Sequence, residues 1–218
     1  MLKHLFALAL SATLAATALA APAPAVEGKD YTRVKVAQPV ATGNKIEVLE
    51  FFWYRCPHCY RLEPGLNAWL KKLPHDAAVR RVPAVFRDDW MPGAKIYYAL
   101  QDLGLIDRLH DKVFDAYHVD NLNLNDEAVL FDWIAKQGVD RARFESAYKS
   151  FSTQSRATQG ALLARTYDIN GVPSFVIDGK YATSESLTGS EARLFEVLDQ
   201  LIAKARNERR GKKTHKKK

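Results

Sequence analysis

Apolar positions along the chain follow two periods, and the switches between them outline a fold. Ile46–Tyr54 (IEVLEFFWY) is a nearly unbroken run of β-branched and aromatic residues, the pattern of a strand covered on both faces. Tyr31–Val36 reads as a short edge strand, Gly43-Asn44 as a turn and Ala78–Phe86 as a further strand. Pro57 to about Leu73 is helical. Pro57 suits the first turn, where its missing N–H costs nothing, and Pro64-Gly65 should kink the helix.

From about Met91 to Tyr167 the 3.6-residue period takes over. Ile96, Leu100 and Leu103 share one face up to Gly104, and Ile106, Leu109, Val113 and Ala116 share the next. Asn125 is expected to cap a helix carrying Leu130, Trp133 and Ile134 as far as Gly138. Asp140 is expected to cap another, presenting Phe144, Ala147, Tyr148 and Phe151, and Ala157, Ala161, Ala164 and Tyr167 line one more. Strand texture returns at Ser174–Ile177, Asp178-Gly179 turns the chain into Lys180–Ala182, and Ser190–Ala205 is a final amphipathic helix. The order predicts one α/β sheet domain, residues 31–89 and 169–203, interrupted by an α-helical insertion, residues 90–168.

The ends change the picture of charge and compartment. Residues 1–20 place Lys3 before an apolar stretch ending in Ala18-Leu19-Ala20, which reads as a signal peptide cleaved after about Ala20. Residues 21–30 read as a flexible leader. Residues 204–218 hold nine Lys/Arg and one Glu and read as a basic disordered tail, with weak attraction to anionic lipid as the sharper reading. The net charge of +7 therefore belongs to the ends: without Lys3 and the +8 tail, residues 21–203 carry −2. That balance gives no basic face for nucleic acid.

An exported chain with two cysteines, Cys56 and Cys59, separated by only Pro57 and His58, gains little stability from joining them. No second cysteine pair is present to complete a tetrahedral zinc site. Placement between an apolar strand and a helix is what gives the pair its chemistry. Cys56 would sit where unpaired backbone N–H groups and the helix dipole favour an anion, and His58 and Pro57 shape the same turn. Stabilising the Cys56 thiolate stabilises the reduced form by about 1.4 kcal/mol, or roughly 30 mV, per pKa unit. Cys56 is then the residue that meets another thiol, and Cys59 the one that resolves.

Leu49-Glu50-Phe51-Phe52, Cys56-Pro57-His58-Cys59-Tyr60 with Glu63, Gly171-Val172-Pro173-Ser174-Phe175-Val176 and Asp178-Gly179-Lys180-Tyr181 together resemble the DsbA family of bacterial periplasmic disulfide oxidases. The resemblance runs to about residue 203. It implies a thioredoxin fold with an inserted α-helical domain and, as familiar properties of the family, a depressed cysteine pKa and an oxidising potential. It implies oxidation of thiols in newly exported proteins and reoxidation by a DsbB-type inner-membrane oxidase. No metal or cofactor beyond the redox-active disulfide is expected, and the protein is read as a monomer. Val172 and a cis Pro173 would meet the client beside Cys56. Glu50 would be buried and take the Cys59 proton, with Arg81 on the next strand as its counter-charge. Glu63 reads as a helix-surface charge with a minor influence on Cys56. Trp53, Tyr54, Trp90 and Tyr97 read as core, and His110 and His118 as structural. The rival readings are a disulfide isomerase or reductant, and a metal-binding or chaperone module using Cys56, His58 and Cys59.

Overall fold

The computed structural model describes residues 22–215, so the expected signal peptide lies outside the described residues. Two strands, β1 (Thr32–Arg33) and β2 (Ile46–Phe52), precede helix α1 (Pro57–Leu70) and β3 (Ala77–Pro83). Five helices follow: α2 (Met91–Asp102), α3 (Ile106–His118), α4 (Glu127–Lys136), α5 (Arg141–Tyr148) and α6 (Phe151–Thr166). Then come β4 (Ser174–Ile177), β5 (Tyr181–Thr183), α7 (Glu185–Thr188) and α8 (Glu191–His215).

The sheet order is β1-β5-β4-β2-β3, with β2 and β3 parallel across the α1 crossover and the other pairs antiparallel. Every residue of β2 is buried, because both faces of this inner strand are covered. Ile46 and Val48 pack with Leu62 and Leu66 of α1 and Leu198 of α8, while Leu49 and Phe51 pack with Ala164 of α6. The β4–β5 turn needs Asp178 and Gly179 at φ 53° and 67°. A Cβ on Gly179 would lie 2.1 Å from the Gln38 carbonyl oxygen, so only glycine fits there.

Several local expectations shift. The first edge strand shrinks to Thr32–Arg33, since its partner β5 is itself three residues long. Pro64 sits inside α1 without ending it. Asp126, not Asn125, caps α4, its carboxylate accepting from the Ala128 and Val129 N–H groups. Asn125 instead accepts from the Tyr117 hydroxyl and donates to the Asp89 carbonyl. Phe151 does not join the buried face of α5: Ser150 caps a new helix there, which leaves Phe151 87% exposed.

Both ends are more ordered than their compositions suggest. In the leader, Arg193 and Gln200 of α8 donate to the Ala23 and Pro24 carbonyls, Gln200 accepts from the Ala25 N–H, and Arg193 pairs with buried Asp30 at 3.0 Å. Side chains of α8 thus supply the bonds that an irregular backbone lacks. At the other end α8 runs to His215. Arg206 pairs with Asp76, Arg209 with buried Asp178, and Glu208 with Lys180 and Tyr181, so the start of the expected tail is docked helix.

Candidate active site

Cys56 is the N-cap of α1, in extended conformation (φ −81°, ψ 115°), and Pro57 opens the helix. The Cys56 sulfur accepts the Cys59 backbone N–H at 3.4 Å, which makes the thiol a side-chain cap. Both cysteines are free thiols and both are buried. A hydrogen bond from the Cys59 thiol, aided by the backbone N–H groups of Cys59 and His58 and by the His58 ring, outweighs desolvation and lowers the Cys56 pKa to about 6. Desolvation, then the bond to Cys56, raises the Cys59 thiol well above its ordinary value, and the charge of Glu50 adds to that rise. Two sulfurs three residues apart thus differ in acidity because one caps the helix and the other lies inside it. The Arg61 guanidinium stands 2.8 Å from His58 Nδ1.

The Val172–Pro173 peptide is cis, and the Val172 carbonyl oxygen accepts from the Cys56 thiol at 3.4 Å. A cleft of about 930 Å³ opens alongside, with His58, Arg61, Val172, Pro173 and Lys35 among its walls. Its mixed polar and apolar lining suits an extended peptide better than a single small molecule.

Beneath the cysteines lies a buried charge cluster. The parallel register sets Glu50 opposite Arg81, and Arg81 Nε donates to Glu50 at 2.9 Å. The same guanidinium reaches Glu63 at 3.1 Å and the Asn67 side-chain oxygen at 3.4 Å. Glu63 is therefore not a surface charge: it is 4% exposed and lies on the inward stripe Cys59, Leu62, Glu63, Leu66, Trp69 of α1. That stripe was a legible signal, since i, i+3, i+4, i+7 from Cys59 includes Glu63. Burial raises both carboxyls against the opposing pull of Arg81, Glu63 to about 7.

His110 and His118 also reach this region. His110 Nδ1 lies 2.8 Å from the Tyr54 hydroxyl and Nε2 lies 3.4 Å from Glu63. His118 Nε2 donates to the Tyr54 carbonyl at 2.8 Å and its ring stacks on Tyr60. Tyr54 and Tyr97 are core as expected, while half-buried Trp53 and Trp90 stack on each other 3.8 Å apart, tying the strand–helix turn to the insertion. Glu63, His110 and Asp111 bring one ligand-type atom each within 4.8 Å of the others, but the Arg81 guanidinium bonded to Glu63 would repel a second cation there.

Comparison with known proteins matches this geometry. Residues 81–201 match the family described as DSBA-like thioredoxin domain. A thiol:disulfide interchange protein DsbA of Burkholderia cepacia is 42% identical over 211 residues, covering 96% of this chain and all of that one. The chain belongs to the DsbA family. The DsbA of Bordetella parapertussis is 42% identical over 198 residues, covering 90% of this chain and 94% of its own. The crystal structure of Pseudomonas aeruginosa DsbA superposes with a TM-score of 0.82 at 34% identity, covering 85% of this chain and 97% of that one. The α/β thioredoxin fold with a helical insertion and the thiol:disulfide oxidoreductase class follow from this membership.

Proposed function

We propose that this DsbA-family enzyme oxidises dithiols of exported proteins, with Cys56 as the exchanging sulfur and Cys59 as its resolving partner. The observation that carries the reading is the placement of Cys56 at the start of α1, its sulfur accepting the Cys59 N–H while Cys59 lies buried inside the helix, which sets the acidities of the two sulfurs apart. A client thiolate attacks the Cys56 sulfur of the disulfide form, and the Cys56–Cys59 bond breaks. Cys59 leaves and takes a proton, which its raised pKa favours; protonated Glu50 is the buried source. A second client thiolate then attacks the client sulfur of the mixed disulfide and expels the low-pKa Cys56 thiolate. The client loses two electrons, and the enzyme pair gains them. Val172 and Pro173 position the client, and Pro57 and His58 shape the thiolate turn. Reoxidation runs by the same exchange in reverse, the two electrons passing to the disulfide of a DsbB-type inner-membrane oxidase. We place the enzyme in the periplasm as a monomer, its redox-active disulfide needing no other cofactor.

Two measurements test this. Ultraviolet titration of the reduced protein is expected to show thiolate absorbance with a midpoint near 6. Because the pKa is depressed, the thiolate preference is complete above the ordinary thiol value of 9.0 and is lost as pH falls through about 6. Oxidising strength against an ordinary client thiol should therefore rise between those values, read as the Cys56–Cys59 equilibrium with glutathione. A midpoint at the ordinary value overturns the oxidant reading in favour of a reductant.

The basic end of α8 supports weak contact with anionic lipid. Arg209 donates to the Asn44 carbonyl and Arg206 pairs with Asp76, which precede β2 and β3, so this end of the helix lies at the pole opposite Cys56. No helix among the described residues is long and apolar enough to cross a membrane. Co-sedimentation with phosphatidylglycerol vesicles at low salt is expected for the full mature chain and not for one lacking residues 212–218. Equal sedimentation of both removes the assignment.

A further inference from the structure

The helical insertion brings a buried imidazole to the charge cluster under the cysteines. His110 of α3 is 3% exposed and bridges Tyr54, just beyond β2, to Glu63 on α1. Nε2 faces the Glu63 carboxyl and Nδ1 faces the Tyr54 hydroxyl; when Glu63 is ionised beside Arg81 it only accepts, so Nε2 then carries the hydrogen toward it and Nδ1 accepts from the hydroxyl. Facing the ring are Glu63 from α1, Arg81 from β3, Glu50 from β2, Tyr97 from α2 with ring centroids 6.0 Å apart, and Asp111 on its own helix. Burial first, and Arg81 second, hold the imidazole neutral by pushing its pKa down to about 3. The ring is therefore a fixed dipole rather than a fourth charge.

The cluster contains two carboxyls and one guanidinium, so full ionisation leaves a net buried negative charge. One proton on either carboxyl removes it, and the two sites are not equivalent. Glu50 is the carboxyl whose charge Cys59 feels, whereas Glu63 is the one that meets the imidazole N–H. We infer that His110 is a positioning residue for thiol–disulfide exchange: its Nε2–H holds Glu63 as the ionised partner of Arg81 and leaves the cluster's proton on Glu50, where Cys59 can use it. The proton balance is closed. Glu50 gives its proton to the Cys59 thiolate when the disulfide opens and recovers it when the disulfide reforms.

This inference rests on the exchange reading above, and the experiment separates the two. The pH profile of single-turnover oxidation of a dithiol peptide is measured beside infrared titration of the buried carboxylic C=O band, with Glu63→Gln assigning the Glu63 component. In His110→Phe the Glu63 band should persist to a pH higher by about one unit, the scale set by losing a hydrogen bond to a charged group. The kinetic midpoint should move with it. His110→Gln, which keeps a donor, should retain both, and His110→Phe should move nothing further in the Glu63→Gln background. A wild type that fails to oxidise the peptide sinks the exchange reading itself. With the wild type active, an unmoved band, a moved band with an unmoved midpoint, or an equal shift without Glu63 overturns the role of His110.

Discussion

Replacing Cys59 with alanine is expected to stop turnover, because no Cys56–Cys59 disulfide can form, while leaving Cys56 able to form a mixed disulfide. Cys56→Ser, by contrast, should reduce exchange to the uncatalysed rate, since no disulfide can form and no sulfur remains at the helix start. In Cys59→Ala the Cys56 thiol still forms a mixed disulfide with an activated client, and no neighbouring sulfur releases it, so the covalent adduct should accumulate. The same variant tests the electrostatics. The largest stabilising contribution to the Cys56 thiolate is the hydrogen bond from the Cys59 thiol. A hydrogen bond to a charged group contributes about 1.5–3 kcal/mol, so the thiolate midpoint should rise by about one to two pH units. Non-reducing electrophoresis reads the adduct, and ultraviolet titration the midpoint. An unchanged midpoint would show that the helix-start N–H groups alone hold the thiolate.

Arg81→Met should be the most destabilising single change in the charge cluster. Arg81 is the counter-charge for Glu50 and Glu63, all three are largely buried, and removing one partner of such a set costs about 3–5 kcal/mol. The loss should depend on pH with a definite sign. Both carboxyls already titrate above their ordinary value of 4.5, Glu63 at about 7. A carboxyl raised in the folded state binds more protons there than when unfolded, so stability falls as pH rises across that window. Without Arg81 both carboxyls rise further and the fall extends to higher pH. Denaturation of Arg81→Met against the parent should therefore show a small difference near pH 4 and the full one near pH 8. A difference that does not vary with pH would mean that Arg81 contributes through packing alone.

How much of this was legible in sequence depends on how local the cause is. The two strands around α1, the five-helix block and the β4–β5 hairpin follow from periodicity and turn chemistry, with ends moved by a few residues where a neighbouring cap competed, as Asp126 did with Asn125. Cys56 at a helix start and Pro173 before a strand were readable because strand, motif and helix are contiguous. The docking of the leader and the continuation of the last helix beyond Ala205 were not legible. Their Pro/Ala and Lys/Arg compositions resemble solvated chain, and their order comes from partners far off in sequence: Arg193 for the leader, Asp76 and Asp178 for α8.

By itself, the chain's order of apolar and polar residues determined an α/β sheet with a helical insertion and placed two cysteines at the junction of a strand and a helix. What only tertiary structure decided was the company those cysteines keep. Register between β2 and β3 set Arg81 beside Glu50, the inward stripe of α1 buried Glu63, and the docking of α3 brought His110 to both. Periodicity reports which side of an element is inward, but a buried charge is governed by which opposite charge or donor lies within a few ångströms of it. That partner is chosen by packing between elements distant in sequence.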